Sequence, residues 1–273
     1  MDLVVFDLDG TLLNKHQQLS ATTLDTLNRM KQAGIAYTIA TGRTHLAAAP
    51  CLQNHDFPIW QIYKNGVEWW HPINRQYRHQ GILDLASLTH TLEQFSTHEV
   101  TPFIFCLDAN GRQSVFHEPP SDRYSQSVFD ELSNYENVTL KTISEMPDDV
   151  QIINISALGH PEPLAKIVQG CNNQEHLIAY SGGGIYHPQT HWIDVHHSSA
   201  CKGSAITQLK NEIGASNIIV FGDGDNDLTM FSMADEAYAT ANAPSYVQEQ
   251  ANATVGHHDE DGVAKFLMER FQL

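Results

Sequence analysis

The run Leu3-Val4-Val5-Phe6-Asp7-Leu8-Asp9-Gly10-Thr11 limits what this chain can fold into more than any other segment. Four apolar residues in succession read as a strand buried on both faces, and the strand ends on two carboxylates one residue apart. In an open α/β sheet, ligands bind at the edge formed by the C-terminal ends of the strands. Two carboxylates held there repel by about 4 kcal/mol at a separation of about 4 Å and an effective dielectric of about 20. A divalent cation with phosphoryl chemistry is the usual reason for such a pair. A calcium-binding or solvated turn is the plainer alternative.

A chain of 273 residues has room for two domains, and 41% hydrophobic with 17% charged residues is enough for a sizeable core. Its 15 basic and 32 acidic residues give a net charge of −17, which repels nucleic acid and anionic membrane. Neither is expected as a partner, and a phosphorylated substrate needs local cations or a metal. No apolar run approaches the roughly 20 residues of a membrane span. The start Met1-Asp2-Leu3 lacks the basic region of a signal peptide. Cys51, Cys106, Cys171 and Cys201 are widely spaced and form no Cys-x-x-Cys, so they read as free thiols of a reducing cytoplasm. Cys201 beside Lys202 could lie near an active site, and a small buried filler is its plainer reading. The pairs His196-His197 and His257-His258 lack zinc-ligand spacing.

Residues 20–33 read as a helix capped by Ser20 and ended by Gly34, with Leu24, Leu27 and Met30 near one face. Residues 35–40 form a short buried strand closing on Thr41-Gly42-Arg43, and strand, helix, strand makes a right-handed parallel crossover. The run Ile218-Ile219-Val220-Phe221 leads into Gly222-Asp223-Gly224-Asp225-Asn226-Asp227, then a helix over about 228–233. The middle of the chain mixes helix-like stretches (83–95 and 121–132) with β-rich runs at 102–107, 150–155 and 177–180. Ala109-Asn110-Gly111 suits a hairpin turn, and Gly182-Gly183-Gly184 reads as a loop, since a phosphate cradle would need a lysine and a following helix. The expectation is an α/β fold: a Rossmann-like parallel-sheet core of residues 1–81 and 197–273, helices on both faces, and an inserted α+β domain at 82–196.

Four pieces fall at the ends of these elements. Asp7 and Asp9 come first, then Thr41 with the backbone N–H groups around Gly42. Lys202 stands just before a helix at 205–213, and Asp223, Asn226 and Asp227 complete the set. Each has a plainer role: Thr41 as a helix cap, Lys202 as surface charge, the late acidic run as a calcium loop, although EF-hand spacing is absent. Together they supply what transfer through an aspartyl-phosphate needs. Asp7 can attack phosphorus while Asp9 protonates the leaving alkoxide and then deprotonates water. Thr41 and Lys202 can hold the non-bridging oxygens. Mg²⁺ would take oxygens from Asp7, Asp223 and the backbone carbonyl of Asp9, with Asp227 binding through water or orienting Lys202.

In order and spacing, these pieces resemble the four motifs of the haloacid dehalogenase superfamily. Gly222-Asp223-x-x-Asn226-Asp227, Ala40-Thr41-Gly42-Arg43, Asn65-Gly66, Ala241-Asn242-Ala243 and Asp259-Glu260-Asp261-Gly262-Val263-Ala264 resemble its Cof-like branch. The inserted domain is similar in position to that branch's type 2 cap. The resemblance implies a Mg²⁺-dependent phosphatase acting on a small phosphorylated metabolite. Asp7 would be its nucleophile and Asp9 its general acid/base. Asp7, Asp9 and Asp223 would form the metal site supported by Asp227, and Thr41, Gly42, Lys202 and Asn226 would contact phosphate. Lys64 to Trp70 departs from the branch's Asn-Gly-Ala continuation, which puts that loop's shape in doubt. Trp69 and Trp70 read as packing residues. His187, His191 and Trp192 are weaker substrate-contact candidates. A phosphotransferase or mutase on the same scaffold, or a non-catalytic phosphate-binding module, remains open, as does monomer or homodimer.

Overall fold

The computed structural model describes residues 1–108, 113–136, 138–183 and 189–273. The expected turn at 109–111, Gly184 and His187 lie outside the described residues. The first elements are β1 (Asp2–Phe6), α1 (Ala21–Gln32), β2 (Ala36–Ile39), α2 (His45–Leu52), β3 (Gln61–Tyr63), β4 (Glu68–His71) and β5 (Gln76–His79). Then come α3 (Leu85–Thr97), β6 (Phe103–Leu107), β7 (Gln113–His117), α4 (Arg123–Ser133), β8 (Thr139–Thr142), β9 (Gln151–Gly159), α5 (Pro161–Asn172), β10 (Leu177–Gly183) and β11 (His191–His197). The chain closes with α6 (Lys202–Ile213), β12 (Asn217–Gly222), α7 (Leu228–Met233), β13 (Glu236–Thr240), α8 (Ser245–Gln248), β14 (Ala253–Val255) and α9 (Gly262–Phe271). These residues form two compact units, 1–79 with 200–273, and 80–199.

The first unit is built on a sheet of order β14-β13-β12-β1-β2, parallel at every pairing. The continuous apolar runs of β1 and β12 follow from burial on both faces. Leu3, Val5, Ile218 and Val220 pack with Ile206 and Leu209 of α6 and Met230 of α7. Their alternates Val4, Phe6, Ile219 and Phe221 pack with Leu27 and Met30 of α1 and Val263 and Leu267 of α9. The Ser20 hydroxyl caps α1 by accepting from the Thr23 N–H at 2.9 Å, and Gly34 follows the helix at φ +72°. Helix α6 starts at Lys202, three residues earlier than its sequence pattern suggested, because Cys201 and Ser204 close a capping box around its first turn.

A second, antiparallel sheet of order β3-β4-β5 spans residues 61–79, where the sequence analysis reads 64–70 as a loop and assigns no strand. A parallel bridge between Ala40 and Ile62 ties it to the end of β2. Trp69 is fully buried there, its indole N–H donating to the Gly66 carbonyl at 2.8 Å. The Arg78 guanidinium lies 4.2 Å over Trp69 and 4.5 Å over Trp60. Trp70 stacks on His45, with centroids 4.7 Å apart. Both tryptophans therefore pack within their own unit.

The second unit is a sheet of order β10-β11-β9-β6-β7-β8, antiparallel except at β7–β8. One face packs Ile104, Phe116, Ile155 and Ile193 against Leu88 and Phe95 of α3 and Leu164 and Ile167 of α5. Residues of opposite parity carry a buried polar group, in which an Asp194 oxygen accepts from Asn154 Nδ2 and Ser156 Oγ at 2.6 Å each. His191 and Trp192 begin β11, opposite Gly183 and Gly182 of β10.

Candidate active site

Strands β1, β2 and β12 end on the same edge of the parallel sheet, so Asp7, Thr41 and Asp223 emerge side by side. Asp7 follows β1 with its N–H still bonded to the Phe221 carbonyl at 2.9 Å, which anchors it in the sheet rather than in the loop. Lys202, on the first turn of α6, is completely buried. Its Nζ donates to Asp7 Oδ1 and to Asp227 Oδ1, each at 2.6 Å. The surface-charge reading of Lys202 is thereby excluded. Asp227 Oδ2 accepts from the N–H groups of Asp223 and Gly224 at 2.8 and 2.9 Å. Both oxygens of Asp227 are thus held by donors, and its evident task is to fix Lys202 and the turn that carries Asp223.

Asp7, Asp223 and Asp227 each bring a carboxylate oxygen to within 4.8 Å of the others. Three carboxylates facing one ammonium leave two negative charges uncompensated when all are ionised. The consequences show in the titrations. Burial pushes the Asp7 carboxyl well above its usual range, with Lys202 opposing and Asp227, Asp223 and Asp9 adding to the rise. Asp223 is pushed up to about 7, first by burial and then by the charge of Asp227. Burial alone would depress Lys202, but Asp227 and Asp7 outweigh it and hold it charged. An all-oxygen donor set lacking two positive charges suits a hard divalent cation.

The loop after Asp7 is fixed from below. Gly10 takes φ +70°, and its carbonyl accepts from Thr240 Oγ1 at 3.0 Å and Asn242 Nδ2 at 2.8 Å. The Asn242 amide also reaches Asp223 Oδ2 at 3.5 Å, and Thr11 Oγ1 donates to Asp223 Oδ1 at 3.3 Å. Asp9 stands apart from the three carboxylates. Its side chain is about half exposed, and both its oxygens are held by Arg43, at 2.6 and 2.7 Å.

Thr41 is buried at the end of β2, with its hydroxyl accepting from the Arg43 N–H at 3.2 Å. It does not cap α2. Thr44 does, by accepting from the Ala47 N–H at 3.0 Å. Buried Glu68 secures the same helix start, its Oε1 accepting from the His45 N–H at 3.1 Å. Gly42 adjoins the side chains of Asn65 and Asn226, whose amides are bonded to each other at 2.9 Å. The predicted residues therefore fall into three adjoining groups of one unit: Asp7, Lys202, Asp223 and Asp227; Thr41, Gly42 and Asn226; and Asp9 with Arg43. Sequence reasoning left Arg43, Thr240, Asn242 and Asn65 without roles. Arg43, Asn65 and Asn242 lie in short motifs of the sequence and Thr240 in none, and only the folded chain shows which groups each side chain meets.

A family model of haloacid dehalogenase-like hydrolases matches residues 4–267. The 5-amino-6-(5-phospho-D-ribitylamino)uracil phosphatase YitU of Bacillus subtilis is 28% identical, over 99% of this chain and 98% of its own. The pyridoxal phosphate phosphatase YbhA of Escherichia coli is 24% identical over 97% of each chain. A solved haloacid dehalogenase-like hydrolase from B. subtilis shares the fold with a TM-score of 0.78, covering 98% of this chain and 99% of that one at 20% identity. The chain belongs to the haloacid dehalogenase-like hydrolases and, within them, to the Cof-like phosphatases.

Proposed function

We propose that this phosphatase hydrolyses a small phosphorylated metabolite through an aspartyl-phosphate formed on Asp7. The observation that carries the reading is the buried Asp7–Lys202–Asp227 chain with Asp223 beside it. One Asp7 oxygen is tied to Lys202, which aims the carboxylate and leaves its second oxygen for in-line attack on phosphorus. Two of the three Lys202 N–H donors are spent on Asp7 and Asp227. The third can meet a phosphoryl oxygen where charge accumulates. Thr41, Gly42 and Asn226 take the remaining non-bridging oxygens.

Asp9, released from Arg43 and carrying a proton, gives that proton to the departing alkoxide, and the carboxylate so formed takes a proton from the water that attacks the phosphoenzyme, which restores the acid. Its half-exposed position suits a group that must reach both leaving group and water. Asp7, Asp223 and the Asp9 carbonyl would hold Mg²⁺, with Asp227 supporting them. When bound, the cation supplies charge neutralisation between the carboxylate nucleophile and the phosphate dianion.

The substrate class draws on the relatives, whose named substrates are both phosphate monoesters of a primary alcohol on a small polar molecule. The four free cysteines suit a reducing compartment, and we place the protein in the cytoplasm. The test is phosphate release from a panel of sugar, flavin-precursor and pyridoxal phosphates, with Mg²⁺ and with chelator. Mg²⁺-dependent release from panel members supports the reading. Silence across the panel, with p-nitrophenyl phosphate also untouched, rejects it.

A further inference from the structure

Between β3 and β4 the chain makes a tight turn through two non-glycine residues in left-handed backbone, Lys64 at φ 45° and Asn65 at φ 53°. Such strain persists only where the surroundings over-determine it, and it clusters at functional sites. Here the surroundings are the Thr41-Gly42-Arg43 loop. The N–H groups of Lys64 and Asn65 donate to the carbonyls of Arg43 and Thr41, each at 2.9 Å. The Asn65 side chain is wholly buried. Its Oδ1 accepts from Asn226 Nδ2 at 2.9 Å. Its Nδ2 is left buried with no hydrogen-bond partner. A Cβ built on Gly42 would lie 3.3 Å from Asn65 Oδ1 and 3.4 Å from Nδ2, so the amide lies against the backbone of that loop.

A buried amide donor without an acceptor is rare in a folded protein and calls for an explanation. This one stands beside Thr41, Gly42 and Asn226, the residues assigned above to the phosphoryl oxygens. We propose that Asn65 is a substrate-binding residue, with Nδ2 donating to a non-bridging oxygen of the phosphoryl group while Oδ1 holds Asn226 for its own contact. The proposal rests on the phosphatase reading. Burial does not set Asn65 apart, because Thr41 and Lys202 are equally closed off. A neutral donor also suits this position. It satisfies the dianion without adding a second cation to compete with Lys202 for Asp7.

The experiment compares the competitive inhibition constant of inorganic phosphate, with Mg²⁺ present, in the parent, Asn65→Gly, Asn65→Asp, Asn226→Ala and the Asn65→Gly/Asn226→Ala double variant. Glycine accepts the turn's positive φ without strain, so its thermal midpoint reports whether the fold is kept. Asn65→Asp keeps an acceptor for Asn226 but supplies no amide donor. Losing a hydrogen bond to a charged group should raise the phosphate constant about tenfold or more in Asn65→Gly and Asn65→Asp. The double variant should be weaker than either of its single changes. Near-parent affinity in Asn65→Asp overturns the proposal. So does a double variant no weaker than Asn226→Ala, because Asn65 would then act only through Asn226. If the parent itself neither turns over phosphate esters nor binds phosphate, the phosphatase reading fails and this assignment goes with it.

Discussion

Lys202 connects Asp7, the proposed nucleophile, to the carboxylate of Asp227, and the connection depends on full burial. In bulk water two unit charges at about 4 Å attract by only about 1 kcal/mol, and the effect grows severalfold as the local dielectric falls. Removing the ammonium strands Asp7 and Asp227 as unpaired buried anions and withdraws a donor from the phosphoryl oxygens. Lys202→Ala should therefore lower kcat by about 10²–10³-fold, as loss of an oxyanion donor does elsewhere. A kcat within threefold of the parent would contradict the role. The placement of Asp7, Thr41, Lys202, Asp223, Asn226 and Asp227 in one unit was legible because they follow buried strands or open helices, and Asp9 because it lies two residues beyond Asp7. Of their partnerships, only that of Asp227 with Lys202 was anticipated, as one of two alternatives. Nothing in local spacing says that the second oxygen of Asp227 accepts from the N–H groups of Asp223 and Gly224, or that Arg43 grips Asp9.

Among the elements, α6 has little tolerance for displacement, because it delivers Lys202 from its first turn. A Cβ on Gly203 would meet the Thr229 carbonyl of α7 at 2.2 Å, so the two helices approach as closely as they do only with glycine there. Gly203→Ala should force α6 outward, cost about 1–3 kcal/mol of stability and reduce activity through the displaced neighbour Lys202. Unchanged denaturant midpoint and kcat would refute this. Thr44→Ala removes the α2 cap and should cost about 1 kcal/mol, read in the same unfolding experiment. Strands β1 and β12 could be read from sequence because burial on both faces leaves them uninterrupted apolar runs. Strands β3, β4 and β5 could not. They are three or four residues long, mix Gln, Glu, Arg and His with aromatics, and are held by cross-strand ring contacts such as tilted Trp70 and Tyr77. The eight-residue helix α2 carries Pro50, which weakens any local helical signal.

For the whole molecule, the −17 net charge and the two charges left over in the carboxylate cluster pull in the same direction. Both make the metal-free protein less comfortable as carboxylates ionise. Asp223, raised to about 7, keeps in the folded state a proton that the unfolded chain gives up near pH 4. The resulting stability is fully present below pH 4 and is lost as pH rises through about 7. Mg²⁺ competes with that proton, so it should stabilise the fold more at pH 8 than at pH 5.5. Calorimetry with Mg²⁺ and with chelator at the two pH values checks this, and an equal Mg²⁺ shift at both would contradict it. The central claim is that the phosphoryl group passes through Asp7. The direct measurement is acid-quenched turnover of p-nitrophenyl phosphate by the parent and by Asp7→Asn, followed by mass spectrometry of the peptide containing Asp7. The parent should carry an acid-stable phosphoryl group on Asp7, while the isosteric variant, still folded, should carry none and release no phosphate. An Asp7→Asn protein that turns over near the parent rate, or label found on another residue, would contradict the account.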